Sequence, residues 1–211
     1  MAKSESKKMH RTIIEGLFWQ PSVCTGSQRS YTHVLPSVGV GSPDLLFYGD
    51  DGNEAWFGLH VGQTDRLTFL GNPQQHIRAS FIDCRKGSKT LHRRVDLQFC
   101  PDPTQQLVID RGIAHAFSNT RHITVRVENT WFMANNNPDY DIANDSINFR
   151  GDDSPNDFPV VAVNDLPLPP EVQQYVIASQ QRAIEAGTYN NFTNRVVIAG
   201  QSRKVLINSK S

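Results

Sequence analysis

From about Thr12 to Asp110 short apolar or β-branched runs alternate with polar breaks. The runs are TIIEGLFW (12–19), LLFYG (45–49), AWFGLHV (55–61), RLTFL (66–70), IRASFIDC (77–84), RRVDLQF (93–99) and QLVID (106–110). Between them, VGVGSPD, GDDGNE, GNPQQ, RKGSK and CPDPT supply the Gly, Pro, Asn and Asp that turns favour. Short strands separated by turn signals at roughly 8–12 residues predict a β-sandwich or barrel. A further strand is expected at HITVRVENTWF (122–132). The stretch 133–159 is dense in Asn, Asp and Pro and reads either as a linker or as an ordered loop. Its interleaved Tyr140, Ile142, Ile147, Phe149 and Phe158 point to a loop packed on the barrel. One helix is predicted over 171–186, after Pro169-Pro170 and before Gly187 as C-cap, with Val172, Tyr175, Val176, Ser179 and Ile184 on or near one face. Two more strand-like pieces, RVVIAG (195–200) and KVLIN (204–208), follow it, and there is no internal repeat.

Composition narrows the class. Lys+Arg 21 against Asp+Glu 21 leaves a formal net charge of zero and a pI near 7.1, which argues against a nucleic-acid partner. No apolar run approaches the roughly 20 residues that span a bilayer, so no membrane partner is expected. The start of the chain, MAKSESKKMHRT, is polar and lacks the apolar core of a secretory signal. These features predict a cytoplasmic protein with a flexible tail over 1–11 and a single domain over 12–211. Cys24, Cys84 and Cys100 are odd in number and form no CxxC pair, so reduced, buried thiols are expected rather than a zinc or redox motif.

There is no GxGxxG, P-loop, HExxH or GxSxG. A metal-binding cupin would need two histidines spaced HxH on one strand, but positions 58 and 62 flanking His60 are Gly58 and Gly62. No metal and no cofactor are therefore expected. The two histidines worth attention are His60 in FGLHV and His115 in DRGIAHAF, each set among apolar residues. Taken singly, either is a satisfied core histidine as readily as a catalyst. Asp165, in VAVNDLPLPP, reads alone as a turn residue.

The segment 82–117, with IDCR (82–85) and DRGIAHAF (110–117), together with GLH (58–60), resembles the core of the dTDP-4-dehydrorhamnose 3,5-epimerase family. In that family a VD-x-R strand precedes a P-x-G-x-AHGF segment, and a late acidic residue matches Asp165. The resemblance spans about residues 12–185. It implies an all-β jelly-roll cupin barrel with a C-terminal helix, acting without metal as a homodimer on a nucleotide-linked 4-keto sugar. It also implies that His60 abstracts a proton next to the ketone, oriented by Asp165. A carboxylate on one imidazole nitrogen fixes the tautomer and stabilises the imidazolium that forms. His115 would polarise the ketone, Arg66 would stand where the family places a lysine near the enolate, and Arg29 would reach the diphosphate.

The departures fall on the other side of the site. Where the family has its acidic tyrosine this chain has Glu128, which can donate a proton only if its pKa is raised. Phe57 replaces an arginine before GLH, Val34 a glutamate and Ser30 a glycine. Trp131 and Phe132 are the nearest candidates for stacking on the ligand. A base side kept while the acid side is rewritten fits a changed reaction: a 3-mono-epimerase, a ketoisomerase or a cyclase. A non-catalytic cupin that binds a sugar or a partner protein also fits.

Overall fold

The computed structural model describes residues 9–26, 30–37, 43–50, 56–134, 139–141, 146–150, 154–186, 192–198 and 201–207. The first strands are β1 (His10–Arg11), β2 (Leu17–Pro21), β3 (Cys24–Thr25), β4 (His33–Val34), β5 (Asp44–Phe47) and β6 (Trp56–His60). Then come β7 (Gln63–Leu70), β8 (Ile77–Asp83), β9 (Arg94–Phe99), β10 (Gln105–Ile109), β11 (Ile113–Ser118) and β12 (Thr124–Val127). The later part holds β13 (Thr130–Met133), β14 (Asp139–Asp141), β15 (Ser146–Arg150), β16 (Leu166–Pro167), the helix α1 (Pro170–Glu185), β17 (Phe192–Ile198) and β18 (Gln201–Ile207).

Among the described residues two sheets dominate. One runs β1-β2-β10-β7-β12-β5, with β13 and β16 attached beyond β7; the other runs β15-β6-β11-β8-β9. Their inner faces share a core in which Leu67, Phe69 and Val125 of the first meet Ile77, Ala79, Phe81 and Phe117 of the second. Phe117 packs on Phe69 at 5.3 Å and on Phe81 at 6.1 Å between ring centroids. Each of the larger of these buried side chains contributes roughly 1.5–3 kcal/mol of burial free energy, so this layer is what holds the sheets together. The outer face of the second sheet has its own cluster, in which Phe57, Leu59, Ile82 and Cys84 are covered by Phe158 from the Asn/Asp-rich stretch. Position 57 thus serves packing, and Phe57 meets Phe158 edge-on at 5.2 Å.

Most of the main strands fall where the alternation places them; the short strands β3, β4 and β14 were not expected, and β1 pairs with β2 within the segment 1–11 expected to be a flexible tail. Two further differences bear on the site. The run 122–132 is two strands, because Glu128 and Asn129 leave β12 and the chain re-enters the sheet as β13 on the other end of β7. Residues 146–150 of the Asn/Asp-rich stretch form β15, which pairs along the whole of β6. That stretch is therefore ordered where it is described. The helix begins one residue earlier than expected, at Pro170, where a proline costs no hydrogen bond. Its intended C-cap, Gly187, lies outside the described residues. The three cysteines are free; Cys84 is buried as expected, and burial pushes its thiol up to about 12. Cys24, however, is exposed on β3, whose two residues both face solvent. No helix among the described residues is long and apolar enough to cross a membrane.

Candidate active site

A cavity of about 860 Å³ lies between the two sheets. Strand alternation decides which side chains reach it. On β6, Trp56, Gly58 and His60 face the cavity while Phe57 and Leu59 turn to the outer cluster. On β7, Gln63, Asp65, Leu67 and Phe69 line it. His115 and Phe117 come from β11, Val125 and Val127 from β12, and Leu46 and Tyr48 from β5 and its following turn.

The polar end of the cavity is a cluster of His60, Asp65 and His115. Asp65 Oδ2 lies 3.8 Å from His60 Nε2 and 3.6 Å from His115 Nε2. The two imidazole rings are 5.7 Å apart between centroids. Asp65 is 4% exposed, and among the described residues no Lys or Arg is bonded to it, which is unusual for a buried carboxylate. Its other oxygen, Oδ1, accepts from Gln63 Nε2 at 2.6 Å, and Gln63 Oε1 in turn accepts from Trp131 Nε1 at 3.1 Å. This chain aims Oδ2 at both histidines.

His115 is fixed from its far side. Its Nδ1 is 3.2 Å from the Ile113 carbonyl, which can only accept, so the hydrogen sits on Nδ1 and Nε2 presents a lone pair. Burial pushes the imidazole down from its usual pKa. The Asp65 charge opposes this, His60 adds to it, and the bond to Ile113 opposes it; the net shift is downward. The turn before β11 holds both histidine strands together. Gly112 adopts φ +73° and donates to the His60 carbonyl at 2.7 Å. A Cβ there would meet Arg85 Cγ at 2.5 Å, so the glycine of DRGIAHAF is required by both conformation and space.

The remaining expected site residues are placed elsewhere. Arg66 follows Asp65 on β7 and so points to the opposite face, where its guanidinium donates to Thr130 Oγ1. Glu128 is paired with Arg66 through both backbone bonds, at 3.1 and 2.9 Å, and shares that outer face. There it is fully buried, accepting from Ser37 Oγ at 2.6 Å and Gln106 Nε2 at 2.8 Å, and contacting Arg126. Burial raises its pKa, but the bonds from Ser37 and Gln106 and the Arg126 charge outweigh it, and the net shift is downward. A carboxylate held ionised on the far side of the sheet does not act as proton donor to this cavity. Trp131 acts behind the cluster through Gln63. Phe132 lies under the Arg111 guanidinium, 3.7 Å from its ring centre. Asp165 is exposed. Its segment does dock near His60, since Asn164 N–H donates to the Val61 carbonyl at 2.9 Å. Arg29 lies outside the described residues. Asp65, Gln63, Tyr48 and Trp56 were not singled out from sequence. For Trp56 and Asp65 a signal exists: both are an even number of residues along a strand from another cavity residue.

The arrangement of these strands matches known structures. The RmlC dTDP-6-deoxy-D-glucose-3,5-epimerase from Legionella pneumophila Philadelphia 1, in complex with dTDP-4-keto-L-rhamnose, superposes with a TM-score of 0.51 at 15% identity, over 78% of this chain and 89% of that one. The dTDP-4-dehydrorhamnose 3,5-epimerase from Bacillus anthracis str. Ames, with TDP and PPi bound, gives 0.50 at 17% identity, over 79% and 96%. The fold is that of the dTDP-sugar epimerase cupins. No protein-family model and no curated protein matches the sequence. At such identities the epimerase cupin fold is shared, and the function has to be argued from the site.

Proposed function

We propose that this protein is an isomerase acting on a nucleotide-linked keto sugar by moving a proton at a carbon next to the carbonyl. The observation that carries the reading is the His60–Asp65–His115 cluster lining the cavity of an epimerase-type fold. A ketone acidifies the adjacent C–H. His60, 20% exposed and facing the cavity, takes that proton on Nε2 while the C–H electrons move onto the carbonyl oxygen as an enolate. Asp65 stabilises the imidazolium so formed, the task expected from sequence for Asp165. His115 presents a lone pair to the same carboxylate and so serves as a second acceptor in the cluster. Return of a proton to the opposite face of the carbon completes the isomerisation with no net change in atoms or charge. Tyr48, a phenol lining the same cavity, is the donor this reading assigns. The half-exposed Trp56 offers a flat surface for the nucleobase.

With Glu128 and Arg66 turned to the outer face, the acid side of the site is sparse. This favours exchange at one carbon over exchange at two, as in a mono-epimerase or ketoisomerase. The assembly proposed is a homodimer. The edge strand β5 exposes Leu45 and Phe47 at 56% and 70%, on the face opposite the cavity-lining Leu46, an apolar surface suited to a second copy. The test is proton NMR of dTDP-4-keto-6-deoxyglucose in D₂O with the chelator-treated protein, beside a His60→Ala control. Exchange next to the ketone that vanishes in the control supports the reading, and the exchanged positions count the centres. Absence of exchange over hours rejects this substrate class.

A further inference from the structure

We propose that His60, Asp65 and His115 form a three-ligand binding site for a divalent transition-metal ion. The inference goes beyond the isomerase reading and does not need it. Among the described residues this is the one group of three or more His, Cys, Asp or Glu whose ligand atoms converge, all within 4.8 Å of one another.

Four features favour an ion over a plain hydrogen-bonded triad. First, the two Asp65 contacts, at 3.8 and 3.6 Å, are longer than hydrogen bonds. They approach the edges of a coordination polyhedron: ligands about 2.1 Å from a tetrahedral centre lie about 3.4 Å apart. Second, the contact of His115 Nδ1 with the Ile113 carbonyl at 3.2 Å leaves Nε2 as the ring nitrogen turned toward Asp65 Oδ2, so that both face the same point from opposite sheets. Third, the supports sit behind the ligands. Ile113 orients His115, and Gln63, itself held by Trp131, orients Asp65. Metal sites depend on outer contacts of this kind to fix ligand direction and tautomer. Fourth, the cluster opens onto the cavity, which leaves coordination positions and access from solvent.

Two imidazoles and one carboxylate select a borderline ion such as Zn²⁺, Fe²⁺ or Co²⁺ over Ca²⁺ or Mg²⁺. With the ion bound, the His60 Nε2 lone pair is engaged and cannot accept a proton from carbon. Ion binding and base catalysis by His60 therefore exclude each other, and the ion acts on the isomerase reading as a reversible inhibitor.

The test uses the full chain, stripped with chelator and titrated with Co²⁺, reading the visible absorption that a low-coordinate nitrogen–oxygen site produces. One Co²⁺ per chain is expected, displaced by Zn²⁺ and not by Mg²⁺. His115→Gln and Asp65→Asn should each weaken binding by at least about tenfold, the scale on which even supporting contacts act. His122→Gln, at an exposed surface histidine, should leave it unchanged. Should the cluster variants fail to fold, NMR of the wild-type protein decides: Co²⁺ must shift and broaden the imidazole protons of His60 and His115 before those of the other histidines. Absence of the absorption band, or a band indifferent to His115→Gln in a folded protein, overturns the proposal. Deuterium exchange in chelator reports separately on the isomerase reading. Exchange without Co²⁺ binding rejects the metal site alone, and Co²⁺ binding without exchange rejects the isomerase alone.

Discussion

Asp65 and Arg66 are adjacent on β7 and face opposite sides of it: the carboxylate points at the two histidines, and the guanidinium points to Thr130 on the outer face. A single residue of register thus separates the cavity from the back of the sheet. Of the polar groups considered at sequence level, His60 and His115 share the register of Asp65. Glu128 shares that of Arg66, through the backbone pair between them.

Asp65 rather than Asp165 is expected to matter for proton transfer. Asp65→Asn should lower deuterium exchange about 100-fold while Asp165→Asn changes it less than about threefold, given the usual size of an acid–base contribution. Exchange rates by NMR on the two variants, with substrate affinity measured beside them, separate the roles. Equal losses would restore Asp165 as the partner of His60.

Glu128 should prove a stability residue. Replacing it with Gln removes the charge that Arg126, Ser37 and Gln106 share in a buried setting. The expected loss is about 2 kcal/mol, the scale of a hydrogen bond to a charged group. Urea unfolding measures it, and exchange per folded molecule should stay near wild type.

Asp83 sets an acid limit on stability. Burial alone raises its pKa, but Arg85, Ser88 and Thr90 bond the ionised form and hold it at about 2, below the ordinary 3.8. The unfolded chain therefore binds the proton first. The stabilisation is complete above the unfolded value and is lost as pH falls through the folded one. It amounts to about 2 kcal/mol, from a shift of nearly two units. Thermal melts between pH 5 and pH 2 should show the wild type falling steeply and Asp83→Asn falling less from a lower start.

Gly58 gives a constructive check on the metal site. It pairs with His115 across β6 and β11, and a Cβ added there would sit 3.9 Å from His115 Nε2, an ordinary contact. Gly58→His supplies a third imidazole, and so a fourth ligand, on the cavity side, in the HxH spacing that the natural sequence lacks. Co²⁺ affinity should rise at least about tenfold, following the preference of such ions for imidazole. An unchanged affinity in a folded variant would mean that the ion, if bound, does not sit between His60 and His115.

The alternation of apolar and polar residues by itself determined the strands, the class of fold and the fact that His60 stands on the face of β6 opposite Phe57 and Leu59. That information is local, because side chains along a strand change face every residue and the apolar set names the buried face. It also placed α1, whose proline start and apolar spacing are features of a short stretch of chain. Which charged groups meet was decided by tertiary structure. Asp65 and His115 are brought together only because β7 and β11 belong to facing sheets, and the pairing of Arg66 with Glu128 depends on where β12 ends. The same holds for β15. Its Asn- and Asp-rich flanks favour turns, and it becomes a strand because β6 offers a free edge whose backbone groups must be bonded. Family-like motifs picked out two histidines that line one cavity. The carboxylate beside them came from a position that no local pattern singled out.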